Sequence, residues 1–105
     1  MEPRDIAAAR DRYHLLDVRE DAEWAAGHIE GAQHIPLGQL GARLGEVPPG
    51  VTVVAVCRTG HRSDFAAGGL RRLGRDALNL DGGVAAWQRA GLPLVGDDGA
   101  AGRVI

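Results

Sequence analysis

The sequence predicts an α/β domain in three layers, with a mostly parallel sheet of four or five strands and helices on both faces. Three observations carry this expectation. Short apolar runs, "HLLDV" (His14 to Val18) and "VTVVAV" (Val51 to Val56) among them, alternate with stretches whose apolar residues repeat at helical spacing. The connections are short and rich in glycine and proline, as units that alternate strand and helix require. A chain of 105 residues with 45% hydrophobic and 25% charged content suits a single domain, able to bury roughly 65% of its unfolded surface.

The elements follow in order along the chain. Pro3 is suited to open a short helix continued by Ile6 to Arg10, because its fixed φ matches the first helical turn and its missing N–H costs nothing there. His14 to Val18 reads as a buried strand that ends in the polar group Asp17, Arg19, Glu20. Asp21 is placed to cap a helical turn through Trp24 and Ala26, closed by Gly27. "AQHI" (Ala32 to Ile35) is a weak strand stopped by Pro36. Leu37, Leu40 and Leu44 are three and four residues apart, which predicts a small amphipathic helix despite its glycines. Pro48, Pro49 and Gly50 then turn the chain.

Val51 to Val56 is the strongest strand, β-branched and nearly all apolar, as a central parallel strand is. From Ser63, the residues Ala66, Gly69, Leu70 and Leu73 repeat at helical spacing, with Gly74 at the stop. "ALNL" (Ala77 to Leu80) is another short strand. Gly82 and Gly83 make a turn, and a helix follows through Val84, Trp87 and Ala90. Residues 96–105 read as a loose tail after a domain spanning 1–95.

Composition excludes several chemistries. Residues 1–50 carry five Arg against nine acids, and residues 51–105 carry seven against five. Imbalances this small give no reason to expect nucleic acid or a membrane as partner. No N-terminal apolar segment or long apolar stretch occurs, and one cysteine cannot form an internal disulfide, so the expectation is a cytoplasmic protein. Without lysine there is no Schiff-base or lysine P-loop mechanism. The only serine, Ser63, lies in no nucleophile-elbow pattern. The four histidines lack ligand spacing, so no metal and no cofactor is expected, and His28 and His34 are read as hydrogen-bonded structural residues.

The chemistry concentrates in "CRTGHRS", Cys57 to Ser63. In open parallel sheets reactive groups lie beyond the carboxyl ends of strands, and the one thiol sits there on the strongest strand. A loop that runs from a strand end into a helix N-terminus turns backbone N–H groups inward, and the helix dipole adds positive charge. Cysteines in such surroundings ionise at about 3.5–7.5 rather than ~8.5. Arg58 and Arg62 are permanent cations suited to an oxyanion, unless one of them pairs with an acid such as Asp17 or Glu23. His61 is better placed as an exposed loop residue than as a base, because an ionised thiol needs none. Asp17 and Arg19 are expected to form an ion pair or to support the loop, with direct contact between Arg19 and substrate as the alternative. Trp24 and Trp87 are expected to be packing anchors, with Trp87 also a candidate wall of the pocket.

Sulfur transfer and phosphoryl transfer both use a thiolate in an anion nest. Four residues separate Cys57 from Arg62. Cysteine phosphatases place one more between the two, so the shorter ring better fits one added sulfur atom. The chain here resembles the single-domain rhodaneses, through "LLDVREDAEWAAGHIEGAQHIPL", "VVAVCRTGHRS" and "LNLDGGVAAWQRAGLPL" in this order, over about residues 3–95. That resemblance implies that Cys57 takes sulfane sulfur from thiosulfate or a persulfide. It then holds the sulfur as a cysteine persulfide and passes it to cyanide or a thiol. It also implies that the backbone from Arg58 through Thr59, Gly60, His61 and Arg62 to Ser63 forms the cradle, with Asp17 and Arg19 supporting it. The alternatives are a protein-to-protein sulfur carrier, a cysteine phosphatase or arsenate reductase, and a catalytically inert binding domain. The family usually opens with a strand before the first helix, and little sequence precedes Pro3 here.

Overall fold

A computed structural model describes all residues 1–105. Four strands, β1 (Tyr13–Asp17), β2 (Gln33–His34), β3 (Thr52–Val56) and β4 (Asp76–Asn79), form one sheet in the order β2-β1-β3-β4. Every pairing is parallel. The central pair, β1 and β3, aligns Tyr13 with Thr52 through Asp17 with Val56, which brings both strands to their carboxyl ends at one level. Successive side chains point to opposite faces. The alternation therefore divides the core into two clusters. Leu16, Val53, Ala55 and Cys57 face one side with Ala66, Ala67 and Leu70; Leu15, Val54 and Val56 face the other with Ile6, Val84 and Trp87.

Helices α1 (Pro3–Ala8) and α4 (Gly83–Arg89) cover the second face, and α3 (His61–Arg72) the first. Pro3 opens α1 as its sequence context requires. In α2 (Asp21–Ala26) the cap is Glu20 rather than Asp21. The Glu20 side chain accepts from the Glu23 backbone, and Glu23 Oε1 accepts from the Glu20 N–H at 3.0 Å, a reciprocal capping box. Asp21 becomes the first helical residue. Gly27 ends α2 in an extended conformation, and glycine is needed there because a Cβ would collide with the backbone of Arg103.

The leucines at 37, 40 and 44 do not build the expected helix. Two 3-10 turns, Leu37–Gln39 and Leu44–Glu46, take its place. Gly38, Gly41 and Gly45 have open space at the Cβ position, so nothing compensates their weak helix propensity, while Leu40 is buried in the first core cluster. No strand precedes α1; Met1 lies against β4, its carbonyl accepting from Asp81 N–H at 2.9 Å. Residues 96–105, read from sequence as a loose tail, double back instead. Val95 bridges antiparallel to both His28 and Ala101, Gly102 N–H donates to Leu94, and Arg103 N–H donates to Ala26. No helix is long and apolar enough to cross a membrane.

Candidate active site around Cys57

Cys57 follows the last residue of β3, and its chain passes through Arg58 and Thr59 into α3, whose N-cap is Gly60. Gly60 has φ 107° and ψ −10°, a left-handed conformation that L side chains rarely adopt. A Cβ there would also press on the Gly82 amide nitrogen at 3.3 Å. This turn folds the loop back over the sulfur. The Gly60 N–H donates to Cys57 Sγ at 3.1 Å, and Ser63 Oγ lies 3.2 Å from the same atom. Burial pushes the Cys57 thiol up, but the Ser63 hydroxyl and the N–H groups of Ser63, Gly60 and Thr59 pull it down. The donors prevail, and the thiol titrates below its ordinary value.

The base of the loop is held from behind by a feature that gave no signal in the sequence. The first amides of α4 donate to the loop, Val84 N–H to the Cys57 carbonyl at 2.9 Å and Ala85 N–H to the Arg58 carbonyl at 3.1 Å. The approach is close enough that a Cβ on Gly83 would collide with both carbonyls. Gly82 makes the turn that the sequence predicts, and Gly83, the first residue of α4, presses that helix end against the site. With those carbonyls drawn toward α4, the loop presents N–H groups to the sulfur. Asn79, at the end of β4, is a second unforeseen neighbour. Its Nδ2 donates to the Gly60 carbonyl at 3.1 Å and its Oδ1 accepts from Ser63 Oγ at 2.6 Å.

The arginines separate. Arg62 makes a two-pronged pair with Glu23, Nη1 to Oε1 and Nη2 to Oε2, both 2.8 Å. Of the acids weighed for such a pair, Glu23 is the partner and Asp17 is not. The Arg62 guanidinium holds Glu23 down at about 2, against a burial effect that raises it. Arg62 also lies within electrostatic range of Cys57. Arg58 is exposed and its Nε donates to the carbonyl of Ile105 at 3.1 Å; Thr59 is exposed on the loop and His61 is exposed as the first residue of α3.

Asp17 and Arg19 form a wholly buried ion pair, Nη2 to Oδ2 at 2.8 Å, whose other hydrogen bonds go to the Glu23 and Gly27 carbonyls. The pair therefore braces α2, which carries Glu23, the partner of Arg62. His28 Nδ1 meets the Trp24 carbonyl and His34 Nε2 meets the Arg19 carbonyl, with both imidazoles stacked on Trp24. Trp87 is buried on the opposite face from Cys57, its Nε1 donating to Pro93.

Comparison with known proteins agrees with this architecture. The family model described as "Rhodanese-like domain" matches residues 3–90. A sulfurtransferase of Allochromatium vinosum is 42% identical over 86 residues, covering 81% of this chain and 80% of that protein. The probable adenylyltransferase/sulfurtransferase MoeZ of Mycobacterium tuberculosis is 38% identical over 91 residues and covers 84% of this chain, but the chain spans only 23% of its length. Among solved structures, a rhodanese-related protein of Thermoplasma volcanium superposes with a TM-score of 0.88 at 28% identity, covering 90% of this chain and 95% of that one.

Proposed function

The chain belongs to the rhodanese-like family, and from that premise we propose that it is a sulfurtransferase whose Cys57 carries the transferred sulfur as a persulfide. The observation that supports this best is the pair of donors on Cys57 Sγ, the Gly60 amide and the Ser63 hydroxyl, beneath the start of α3. Such an arrangement favours the ionised sulfur, which is the nucleophile. A thiosulfate donor is attacked at its outer sulfur. The Cys57 Sγ–S bond forms as the sulfur–sulfur bond of thiosulfate breaks, and sulfite leaves with the bonding pair. A persulfide donor reacts in the same way and releases its thiolate. Cyanide or a thiolate acceptor then attacks the outer sulfur, and Cys57 leaves as thiolate, ready for another cycle.

Charge in the transition state spreads over the incoming and departing sulfurs, so fixed N–H dipoles around the cup stabilise it without reorganising. The loop residues Arg58, Thr59, Gly60, His61, Arg62 and Ser63 supply that cup, and Arg58 and Arg62 supply positive charge at its rim. The Glu23 carboxylate offsets the Arg62 charge, which leaves Arg58 as the rim guanidinium outside any side-chain ion pair. Asp17 and Arg19 contribute by fixing α2, and through it Glu23.

Turnover tests the proposal. Incubation with thiosulfate or glutathione persulfide plus cyanide is expected to yield thiocyanate, and Cys57→Ser is expected to yield none. Hydrolysis of p-nitrophenyl phosphate, lost in Cys57→Ser, with no thiocyanate from either donor, would instead assign the site to phosphoryl transfer.

A further inference from the structure

The Ser63 hydroxyl stands between two acceptors with only one proton to give. Cys57 Sγ lies 3.2 Å away and Asn79 Oδ1 2.6 Å away, and the oxygen has no other partner. The orientation of the Asn79 amide is fixed on its other side. Its Nδ2 faces the Gly60 carbonyl at 3.1 Å, an acceptor that also receives the Asp64 N–H at 3.0 Å. Reversing the amide would set two carbonyl oxygens against each other, so Oδ1 must face Ser63. Ser63 is fully buried, and no water-facing alternative exists for its hydroxyl.

We infer that Asn79 is a positioning residue that competes with Cys57 for the Ser63 proton and thereby sets how strongly the sulfur is held as an anion. In the thiol form every group is satisfied in one direction: Cys57 S–H donates to Ser63 Oγ, whose own proton goes to Asn79 Oδ1. When Cys57 ionises, its proton leaves to solvent and the Ser63 hydroxyl turns to the sulfur. Asn79 Oδ1 then loses its short contact. Asn79 therefore weakens the stabilisation of the thiolate while leaving the amide donors in place.

The consequence for chemistry rests on the persulfide reading above. Once a sulfur is bonded to Cys57, the negative charge moves to the outer atom, and Sγ no longer needs the hydroxyl. The Ser63 proton returns to Asn79. The relay thus penalises Cys–S⁻ relative to Cys–S–S⁻, which makes the resting thiolate the more reactive partner.

Other charged groups on the elements around Cys57 stay outside this relay. Arg62 of α3 is paired with Glu23 of α2, and Asp17 at the end of β1 is paired with Arg19. Asp81, in the turn before α4, is paired with the Met1 amino group, Arg58 is exposed on the loop, and His61 and Asp64 are exposed in the first turn of α3. The first turn of α4 carries no titratable side chain.

The experiment is a titration of the only thiol, by the pH dependence of its alkylation with iodoacetamide, in the native chain, Asn79→Leu, Ser63→Ala and the double variant. Asn79→Val, suited to a strand, serves as a second replacement, and circular dichroism checks the fold of each. Asn79→Leu is expected to increase the thiolate fraction below the midpoint by about three- to tenfold, the effect of one hydrogen bond. Ser63→Ala is expected to lower that fraction, and in its background the Asn79 change is expected to have no effect. An Asn79 replacement that leaves the midpoint unmoved, or moves it equally with and without Ser63, overturns the inference. The native protein gives an independent check. Its infrared S–H stretch should lie below that of the unfolded chain, because the thiol donates to Ser63, and an unshifted band contradicts the relay. These readouts need no sulfur donor, so their failure leaves the persulfide proposal standing, and failure of persulfide formation leaves them interpretable.

Discussion

At the scale of single residues, Cys57 and Glu23 are two of the five side chains whose titrations the structure displaces, and each makes a prediction. Cys57 is lowered by the donors around its sulfur despite its burial. An acid lowered by folding stabilises the fold above its ordinary pKa, and that stabilisation fades as pH falls through the folded value. Half-maximal alkylation of Cys57 is therefore expected at lower pH in the folded protein than in the unfolded chain, and a midpoint that is equal or higher in the folded protein contradicts the cup. Glu23 is held at about 2 against an ordinary 4.5. Its contribution is present above pH 4.5 and is lost as the solution is acidified toward 2. The full displacement would correspond to about 3 kcal/mol, but the Arg62 side chain is a third exposed and solvent screening reduces this to about 1 kcal/mol. Glu23→Gln retains a side chain able to accept from the Glu20 N–H, so α2 stays capped. Acid unfolding followed by circular dichroism should show that variant less stable at pH 7 and flatter in its pH dependence between 4.5 and 2. An unchanged acid profile would mean that the pair contributes nothing.

At the scale of elements, the site depends on two helix ends meeting at one loop. The N-terminal turn of α3 supplies donors to the sulfur, and that of α4 takes the carbonyls of Cys57 and Arg58. Gly83 is where they touch, with φ 64° and no room for a Cβ. Gly83→Ala is expected to cost about 1–3 kcal/mol from strain and overpacking. It should also slow Cys57 alkylation at pH 7, because the loop moves off the sulfur. Thermal unfolding and the alkylation rate measure the two effects, and a variant with native values for both would show that α4 does not position the loop. Much of this level was legible in the sequence. The run Val51 to Val56 announced the central strand, and the polar turn after it announced a helix start facing a thiol. Leucine spacing from Leu37 to Leu44 does not by itself separate one amphipathic helix from two tight turns, and the glycines between them decide for the turns. The α4 contact was hidden because "DGGVAAW" looks the same whether its amides meet solvent or another backbone.

At the scale of the whole molecule, the two-sided core and the returning C-terminal segment act together. Residues 96–105 cover the end of α2, where Gly27 leaves space for the Arg103 backbone. A chain ended after Val95 is expected to lose about 1 kcal/mol or more and melt about 5 °C lower. An unchanged melting curve would assign those residues no structural part. "GDDGAAGRVI" has neither periodicity nor an apolar run to announce this role, and backbone pairing needs neither. Asn79 escaped for a related reason. In "ALNL" it is an ordinary strand residue, and only the parallel register that sets β4 beside β3 brings it to Ser63. Cys57 with its loop could be read because the sequence keeps those groups contiguous; Glu23, Asn79 and α4 reach it from distant segments.

The most direct test of the account is the intact mass of the protein after exposure to thiosulfate or glutathione persulfide, followed by cyanide. Cys57 is expected to gain one sulfur atom that cyanide removes, and Cys57→Ser to gain none. A folded native chain that keeps its original mass with both donors would contradict it.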